Sequence, residues 1–370
     1  MSIKVVTIVG ARPQFVKAAA VSRAIREGYS GHIDEVLVHT GQHFDANMSS
    51  VFFDELDIPH PRYNLEISGG HHGAMTGRML EAIENVLLQE QPDWVLIYGD
   101  TNSTLAGGLA AAKLHIPVVH VEAGLRSFNM RMPEEVNRIV SDRLSTLLLC
   151  PTDTAVNNLK AEGITKGVHN VGDVMYDVAL FYRDKARQQS KALDTLGLTE
   201  KRFVLATCHR AENTDDPQRL KSILEALVSV AQKMPVVLPL HPRTRKLVAQ
   251  NGLGHLLDAL KITEPLPFLD MVALEQAAKL ILTDSGGVQK EAFFYGVPCI
   301  TMRDETEWVE TVQLGANQLV GASKNKIQNA VFAALEQEVD FVVALPYGDG
   351  RAAQKIVQFL SNDQLRKKAS

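Results

Sequence analysis

Leu280-Ile281-Leu282-Thr283-Asp284-Ser285-Gly286-Gly287-Val288-Gln289-Lys290-Glu291-Ala292 is the stretch on which the reading of the fold turns. An apolar run breaks into Ser-Gly-Gly and continues at once as a helix, the pattern of a buried parallel strand feeding a helix through a tight turn. Two glycines let the backbone approach an anion closely. The new helix offers unpaired N–H groups and the positive end of its dipole. Such a turn suits a phosphorylated or nucleotide ligand, and it equally suits close packing of helix on strand.

Outward from this stretch, short β-branched runs alternate with longer helical patterns, which predicts stacked βαβ units and parallel sheets. Strands are expected at residues 5–9, 35–39, 94–98, 118–122 and 147–150, with helices at 14–26, 75–89, 103–114 and 133–145. After Pro151 the texture changes, and residues 163–201 read as a polar, helix-rich connection. A second series follows, with strands at 203–207, 236–240, 280–283, 299–302 and 318–320. Its helices are expected at 217–232, 243–251, 270–278, 288–294 and 326–337. The fold class is α/β, two doubly wound parallel-sheet domains at 1–170 and 171–370, the last helix packing back on the first domain. Ligands of such sheets bind beyond the carboxyl ends of the strands, so the cleft between the halves is the expected active site.

Composition narrows the partners. The 370 residues are 45% hydrophobic and 22% charged, with a net charge of −5, and they contain no basic block interleaved with aromatics, which argues against nucleic acid. No apolar run reaches membrane-spanning length. The first residues read as a buried strand rather than a signal peptide, and Cys150, Cys208 and Cys299 lie in apolar runs without CxxC spacing. These features predict packed thiols in a reducing compartment, the cytoplasm.

Nearly every strand ends in a polar cluster. Gly10-Ala11-Arg12-Pro13 leads to Lys17, placing a guanidinium and an ammonium at a helix start, where they clamp a diphosphate or sit solvated. Asp100 follows Tyr98-Gly99 and either caps the next helix or acts in chemistry. Glu122 in His120-Val121-Glu122-Ala123-Gly124-Leu125-Arg126 is an uncommon cap and the stronger candidate. Glu134 and Arg138 share a helix face four residues apart, which fits a surface ion pair as readily as a catalytic carboxylate held by an arginine. His209-Arg210 and His241 end strands of the second half and suit acid–base work or an anionic leaving group. His71-His72 has no cluster at ligand spacing, so no metal site is expected. The turn after the first strand departs from GxGxxG, and no GxxxxGK[ST] occurs, which disfavours a dinucleotide or P-loop enzyme.

Taken together, Gly10-Ala11-Arg12-Pro13 with Lys17, Gly41-Gln42-His43, Gly99-Asp100-Thr101, residues 120–126, Pro133-Glu134-Glu135-Val136-Asn137-Arg138, His209-Arg210, residues 283–291 and Met302-Arg303-Asp304 resemble, in order, the non-hydrolysing UDP-N-acetylglucosamine 2-epimerases. The resemblance implies a GT-B fold, no metal or NAD cofactor, a homodimer, and inversion of C2 by eliminating UDP and adding it back, in the service of surface polysaccharides. It makes Asp100, Glu122 and Glu134 the catalytic carboxylates, with His209 near the phosphates and Arg138 a functional arginine. It gives Arg12, Ser285, Gly286, Gly287 and Glu291 to UDP and Gln42 and His43 to an effector site; Lys17, Arg210, His241, Phe268 and Arg303 complete the expected contacts to the UDP-sugar. Phe44-Asp45 and Gly70-His71-His72 depart from the effector pattern.

The sequence also departs from the common family pattern at Gly10-Ala11-Arg12-Pro13-Gln14, at Thr306-Glu307-Trp308-Val309-Glu310 and at residues 127–132. These variants look more like the branch that acts on UDP-2,3-diacetamido-2,3-dideoxyglucuronate, whose C6 carboxylate needs a donor such as Arg131 or Arg303. A GT-B glycosyltransferase using a UDP-sugar donor, and a non-catalytic sugar-nucleotide sensor, are the alternatives.

Overall fold

In the computed structural model, which describes residues 2–42, 58–336 and 346–362, the apolar runs form two parallel sheets. The first contains β1 (Ile3–Val9), β2 (Ile33–His39), β3 (Tyr63–Asn64), β4 (Trp94–Tyr98), β5 (Val118–Val121), β6 (Leu147–Cys150) and β7 (Val168–Asn170). Their spatial order is β3-β2-β1-β4-β5-β6-β7. The second contains β8 (Val204–Thr207), β9 (Val236–Pro239), β10 (Lys261–Thr263), β11 (Leu280–Thr283), β12 (Cys299–Thr301) and β13 (Asn317–Leu319), in the order β10-β9-β8-β11-β12-β13. Among the described residues every pairing is parallel.

Period-two alternation distributes the second sheet's side chains between two cores. Val204, Ala206, Leu280 and Leu282 join Leu220, Ile223, Leu224 and Leu227 of the helix Pro217–Ala231. Leu205 and Ile281 join Leu274 of the helix Phe268–Ala277 and Ala292 of the helix Gly286–Phe294 on the other side. In the first sheet, Val6, Ile8, Val95 and Ile97 pack against Met79 and Ile83 of the helix His72–Glu90 and Ala106 and Ala110 of the helix Asn102–Lys113. Each fully buried Val, Leu or Ile contributes about 1.5–3 kcal/mol relative to exposure.

Winding reverses between β1 and β4 in one sheet and between β8 and β11 in the other. At such switch points the loops leaving the two strands diverge and open a crevice at their carboxyl ends. The loops concerned begin at Gly10 and Gly99, and at Cys208 and Asp284.

The chain divides into one compact unit of Met1–Val178 with Leu345–Ser370 and another of Ala179–Ala344. The division expected at residue 170 falls instead within the helix Val174–Gln189, and the chain's end belongs with the first unit. Backbone and side-chain bonds account for this. Asp173 N donates to Tyr347 O at 2.9 Å, and Asp177 accepts from the N–H groups of Ala352 and Ala353 at 3.1 and 2.8 Å. The helix Ala352–Leu360 then packs on the helix Arg12–Gly28 within this unit.

Strands β3, β7 and β10 lie outside the expected set; they are two or three residues long, at sheet edges, and read Tyr-Asn, Val-His-Asn and Lys-Ile-Thr. Among the described residues no helix is long and apolar enough to cross a membrane.

Candidate functional site

The first unit gathers its polar residues where β1, β4 and β5 end. Gln14 ties the loops at the switch point together. Its Oε1 accepts from the N–H groups of Gly10 and Ala11 at 2.8 and 3.1 Å, and its Nε2 donates to Tyr98 O at 2.7 Å and Thr104 Oγ1 at 2.9 Å. Lys17, one turn along the same helix, ion-pairs through Nζ with Glu122 Oε2. Both residues are 8% exposed, so Lys17 holds a protein carboxylate. Glu122 itself has φ +71°, a left-handed conformation that costs a residue with a Cβ about 1–2 kcal/mol. Gly99, with φ +60°, makes room for the pair: a Cβ there would lie 3.2 Å from Glu122 Oε2 and 3.5 Å from Lys17 Nζ.

Asp100 does not cap the helix after β4. Thr101 takes that position, its side chain accepting from Thr104 N at 3.3 Å. The Asp100 carboxylate accepts instead from Arg138 Nη2 at 2.5 Å. Arg138 also donates through Nη1 to Glu135 Oε2 at 2.9 Å. Glu135 in turn accepts from Ser127 N at 2.9 Å and Phe128 N at 2.8 Å. Burial acts to raise the Glu135 pKa, but these N–H groups and Arg138 outweigh it and hold the carboxyl below its usual range. Asn137 Nδ2 adds a bond to Asp100 O at 2.9 Å. Glu134 stands half-buried in the first turn of the helix Pro133–Leu144, and Arg131 is exposed in the preceding turn.

Arg12 opens the helix after β1, half-buried. Gln42 directs its Oε1 to Ser103, accepting from N at 3.0 Å and Oγ at 2.8 Å. His43 lies outside the described residues. His72 bonds Asn102, and among the described residues no three His, Cys, Asp or Glu side chains converge as a metal site would require.

In the second unit the organising residue is Asp284, fully buried at the end of β11. It accepts from His209 N at 3.0 Å, Arg210 N at 3.0 Å and Asn213 Nδ2 at 3.3 Å. This fastens the end of β8 to the end of β11. The His209 side chain is 41% exposed; its partial desolvation, with Arg210 and His241 beside it, lowers its pKa against the pull of Asp284. The His209 and His241 ring centroids are 6.2 Å apart, and His241 Nδ1 accepts from Arg243 N at 3.2 Å, capping the next helix.

Ser285 is the N-cap of the helix Gly286–Phe294, and its side chain makes no cap hydrogen bond. A Cβ at Gly287 would meet nothing nearer than Ser285 Oγ at 3.8 Å and Glu291 Oε2 at 4.0 Å, which leaves that helix start open to a ligand. Gly286 differs: a Cβ there would lie 2.6 Å from Glu307 Oε1. Behind Glu291 lies Glu275, 1% exposed; burial and the Glu291 charge push its pKa well up.

Two nucleotide candidates have protein partners. Arg303 is 1% exposed and bonds Glu307 Oε2 at 3.1 Å, with Glu212 Oε1 3.5 Å from its Nε. Phe268 is 9% exposed and packs edge-on to Tyr182 at a centroid distance of 5.0 Å. Gln14, Glu135 and Asp284 were not singled out from sequence as site residues. Asp284 directly follows a strand of its sheet's switch point and Gln14 lies in the first turn of the helix after such a strand, a signal available once strand order is known.

The fold is GT-B-like, with two parallel-sheet α/β domains, each carrying a polar cluster at its own switch point. The family model described as UDP-N-acetylglucosamine 2-epimerase matches residues 27–361. UDP-2,3-diacetamido-2,3-dideoxy-D-glucuronate 2-epimerase of Pseudomonas aeruginosa is 54% identical over 363 residues, 97% of this chain and 99% of that one. UDP-N-acetylglucosamine 2-epimerase of Methanocaldococcus jannaschii is 43% identical over 366 residues, 97% of this chain and 99% of that one. The crystal structure of the M. jannaschii enzyme in complex with UDP-GlcNAc and UDP matches with a TM-score of 0.88 at 42% identity, over 98% of this chain and 99% of that chain. The chain belongs to the UDP-N-acetylglucosamine 2-epimerase family, and is a carbohydrate epimerase of the isomerase class.

Proposed function

We propose that this enzyme inverts C2 of a UDP-linked 2-acetamido sugar by eliminating UDP and adding it back, and that its sugar is 2,3-diacetamido-2,3-dideoxyglucuronate. The observation that carries the reaction is that Asp100 and Glu122 follow adjacent strands, each carboxylate held by a buried cation. The 54% identity to the P. aeruginosa enzyme supports the choice of sugar.

Elimination removes the C2 proton to a carboxylate, forms C1=C2 and breaks the C1–O bond, whose electrons leave on the diphosphate. Preorganised N–H dipoles and cations stabilise that developing charge. The open helix start at Gly286-Gly287, with His209 and Arg210, suits this task, and Arg12 is a further candidate. Glu291 suits the ribose hydroxyls. Reprotonation of C2 from the opposite face needs a second acid, so two carboxylates among Asp100, Glu122 and Glu134 share the work. Arg138 orients Asp100, and Lys17 orients Glu122. Arg303 is engaged by protein carboxylates, which leaves exposed Arg131 as the donor for a C6 carboxylate.

Supply of a surface-polysaccharide precursor, a homodimeric state and a cytoplasmic location belong to the same proposal. Three buried free thiols support the location, and sedimentation of the purified protein tests the dimer. An effector role for Gln42 and His43 is tested by assaying turnover with and without added UDP-N-acetylglucosamine.

The deciding experiment is proton NMR in deuterium oxide with UDP-2,3-diacetamido-2,3-dideoxyglucuronate and UDP-N-acetylglucosamine offered separately. Deuterium at C2 with the uronate, and loss of that activity in Arg131→Ala, is the expected result. Equal exchange with both sugars, or equal losses in the variant, removes the uronate assignment. UDP release only with an added acceptor would make the enzyme a transferase.

A further inference from the structure

We propose that His120 is a doubly protonated positioning residue that fixes both carboxylate-bearing strand ends, an inference that rests on the roles proposed above for Asp100 and Glu122. His120 lies in β5, fully buried. Its Nε2 is 2.7 Å from Gly99 O. A carbonyl oxygen only accepts, so Nε2 carries a proton. Its Nδ1 is 2.8 Å from Asp142 Oδ1. That carboxylate also accepts from Gly124 N at 3.2 Å and from Arg126 Nη1 at 2.7 Å. The fixed positive charge of the Arg126 guanidinium and the Gly124 N–H, both directed at Oδ2, favour the ionised carboxylate whatever the state of the ring. An ionised carboxylate has no proton to donate, so Nδ1 must carry one as well. Only the imidazolium has N–H at both positions.

The charges around the ring balance. Arg126 continues to Glu162 as a bidentate pair, Nε to Oε1 at 2.6 Å and Nη2 to Oε2 at 2.8 Å. Two cations thus meet two carboxylates, as buried ions require. A neutral ring would point a lone pair at an oxygen lone pair on one side, at 2.7 or 2.8 Å.

The function of this arrangement follows from what its ends hold. Gly99 immediately precedes Asp100, and Gly124 follows Glu122 by two residues. Gly99, Glu122 and Gly124 have φ of +60°, +71° and +80°; the glycines take this conformation freely, while Glu122 needs support from outside it. One imidazolium and one aspartate supply that support to both turns. His120 acts through them on the relative placement of the Asp100 and Glu122 carboxylates.

Nitrogen-15 NMR of histidine-labelled enzyme, with His120→Gln assigning the signals, tests the charge state on the unmodified protein. Two protonated ring nitrogens at neutral pH are expected, and one bare nitrogen overturns the inference. The positioning role is read from His120→Gln and Asp142→Asn: kcat should fall on the order of 100-fold, the loss expected when reacting groups shift by about 1 Å. KM for the sugar nucleotide and affinity for UDP, assigned above mainly to groups of the second unit, should stay as in the parent. Unchanged kcat in a folded His120→Gln, or parallel losses in kcat and UDP affinity, overturns the role. The NMR measurement needs no substrate, so failure of this inference and failure of the proposed reaction are read from different experiments.

Discussion

Lys17→Met keeps the length and apolar stem of the side chain and deletes the ammonium that faces Glu122. Both residues are 8% exposed, and removing one member of a buried ion pair costs about 3–5 kcal/mol. Glu122→Leu strands the ammonium and carries a cost of the same sign. In Lys17→Met/Glu122→Leu no lone charge remains, so the double variant should fall short of the summed losses by at least about 2 kcal/mol. Urea unfolding followed by tryptophan fluorescence measures this, because the chain has two tryptophans and Trp94 in β4 lies in the first unit while Trp308 lies in the second. In a Trp308→Phe background, Trp94 reports the first unit alone. Activity separates from stability in the double variant, which should stay about 10²–10⁴-fold below the parent for want of an acid–base carboxylate. A loss below about 1 kcal/mol in Lys17→Met would mean a solvated pair. Additivity within about 0.5 kcal/mol would mean that the two side chains do not interact. Either result refutes the geometry assigned to Glu122.

Gly287→Ala should leave the melting temperature unchanged or slightly raised, since Ala is favoured over Gly by up to about 1 kcal/mol in a helix interior and by less in this first turn, while calorimetry should show UDP binding weakened about tenfold or more by a methyl in the anion's path. Gly286→Ala should instead lower the melting temperature, because its Cβ, 2.6 Å from Glu307 Oε1, would displace the carboxylate that bonds buried Arg303 at 3.1 Å. His209, with its pKa lowered in the free protein, should take up a proton when a diphosphate arrives, so UDP affinity should rise as pH falls from about 8 to about 6. Titrations in buffers of different ionisation enthalpy read the proton, and its persistence in His209→Asn would remove His209 from the phosphates. Burial pushes Asp177 up to about 6, partly offset by the N–H groups of Ala353 and Ala352 and reinforced by Asp173 and Asp349. The native state therefore binds this proton more tightly than the unfolded chain. The associated stability, up to ~3 kcal/mol, is full below about pH 4 and lost as pH rises through about 6. Asp177→Asn should flatten urea midpoints measured across that window.

Strands such as Trp94-Val95-Leu96-Ile97-Tyr98 were legible because a sheet covered on both faces leaves an unbroken apolar run. Lys261-Ile262-Thr263 was not, since a three-residue edge strand is held by its neighbour's hydrogen bonds rather than by its own composition. The clusters at strand ends were legible as positions, while partners were not. Asp100 read equally as a cap until Thr101 was seen to occupy that place, and Arg138 read as a partner of Glu134, where the structure gives it Glu135 and Asp100. His120 and Asp142 are 22 residues apart, and no local period encodes such a pairing.

The left-handed backbone at Glu122 sets protein evolution in the laboratory against itself. A glycine there would relax a conformation costing about 1–2 kcal/mol, and an apolar residue at position 17 would then remove the need for a buried charge. A population of variants enriched only for survival at high temperature should therefore drift away from Lys17 and Glu122 together, becoming sturdier proteins that no longer turn over substrate. Retention of both residues in such an experiment would require that turnover itself be under selection.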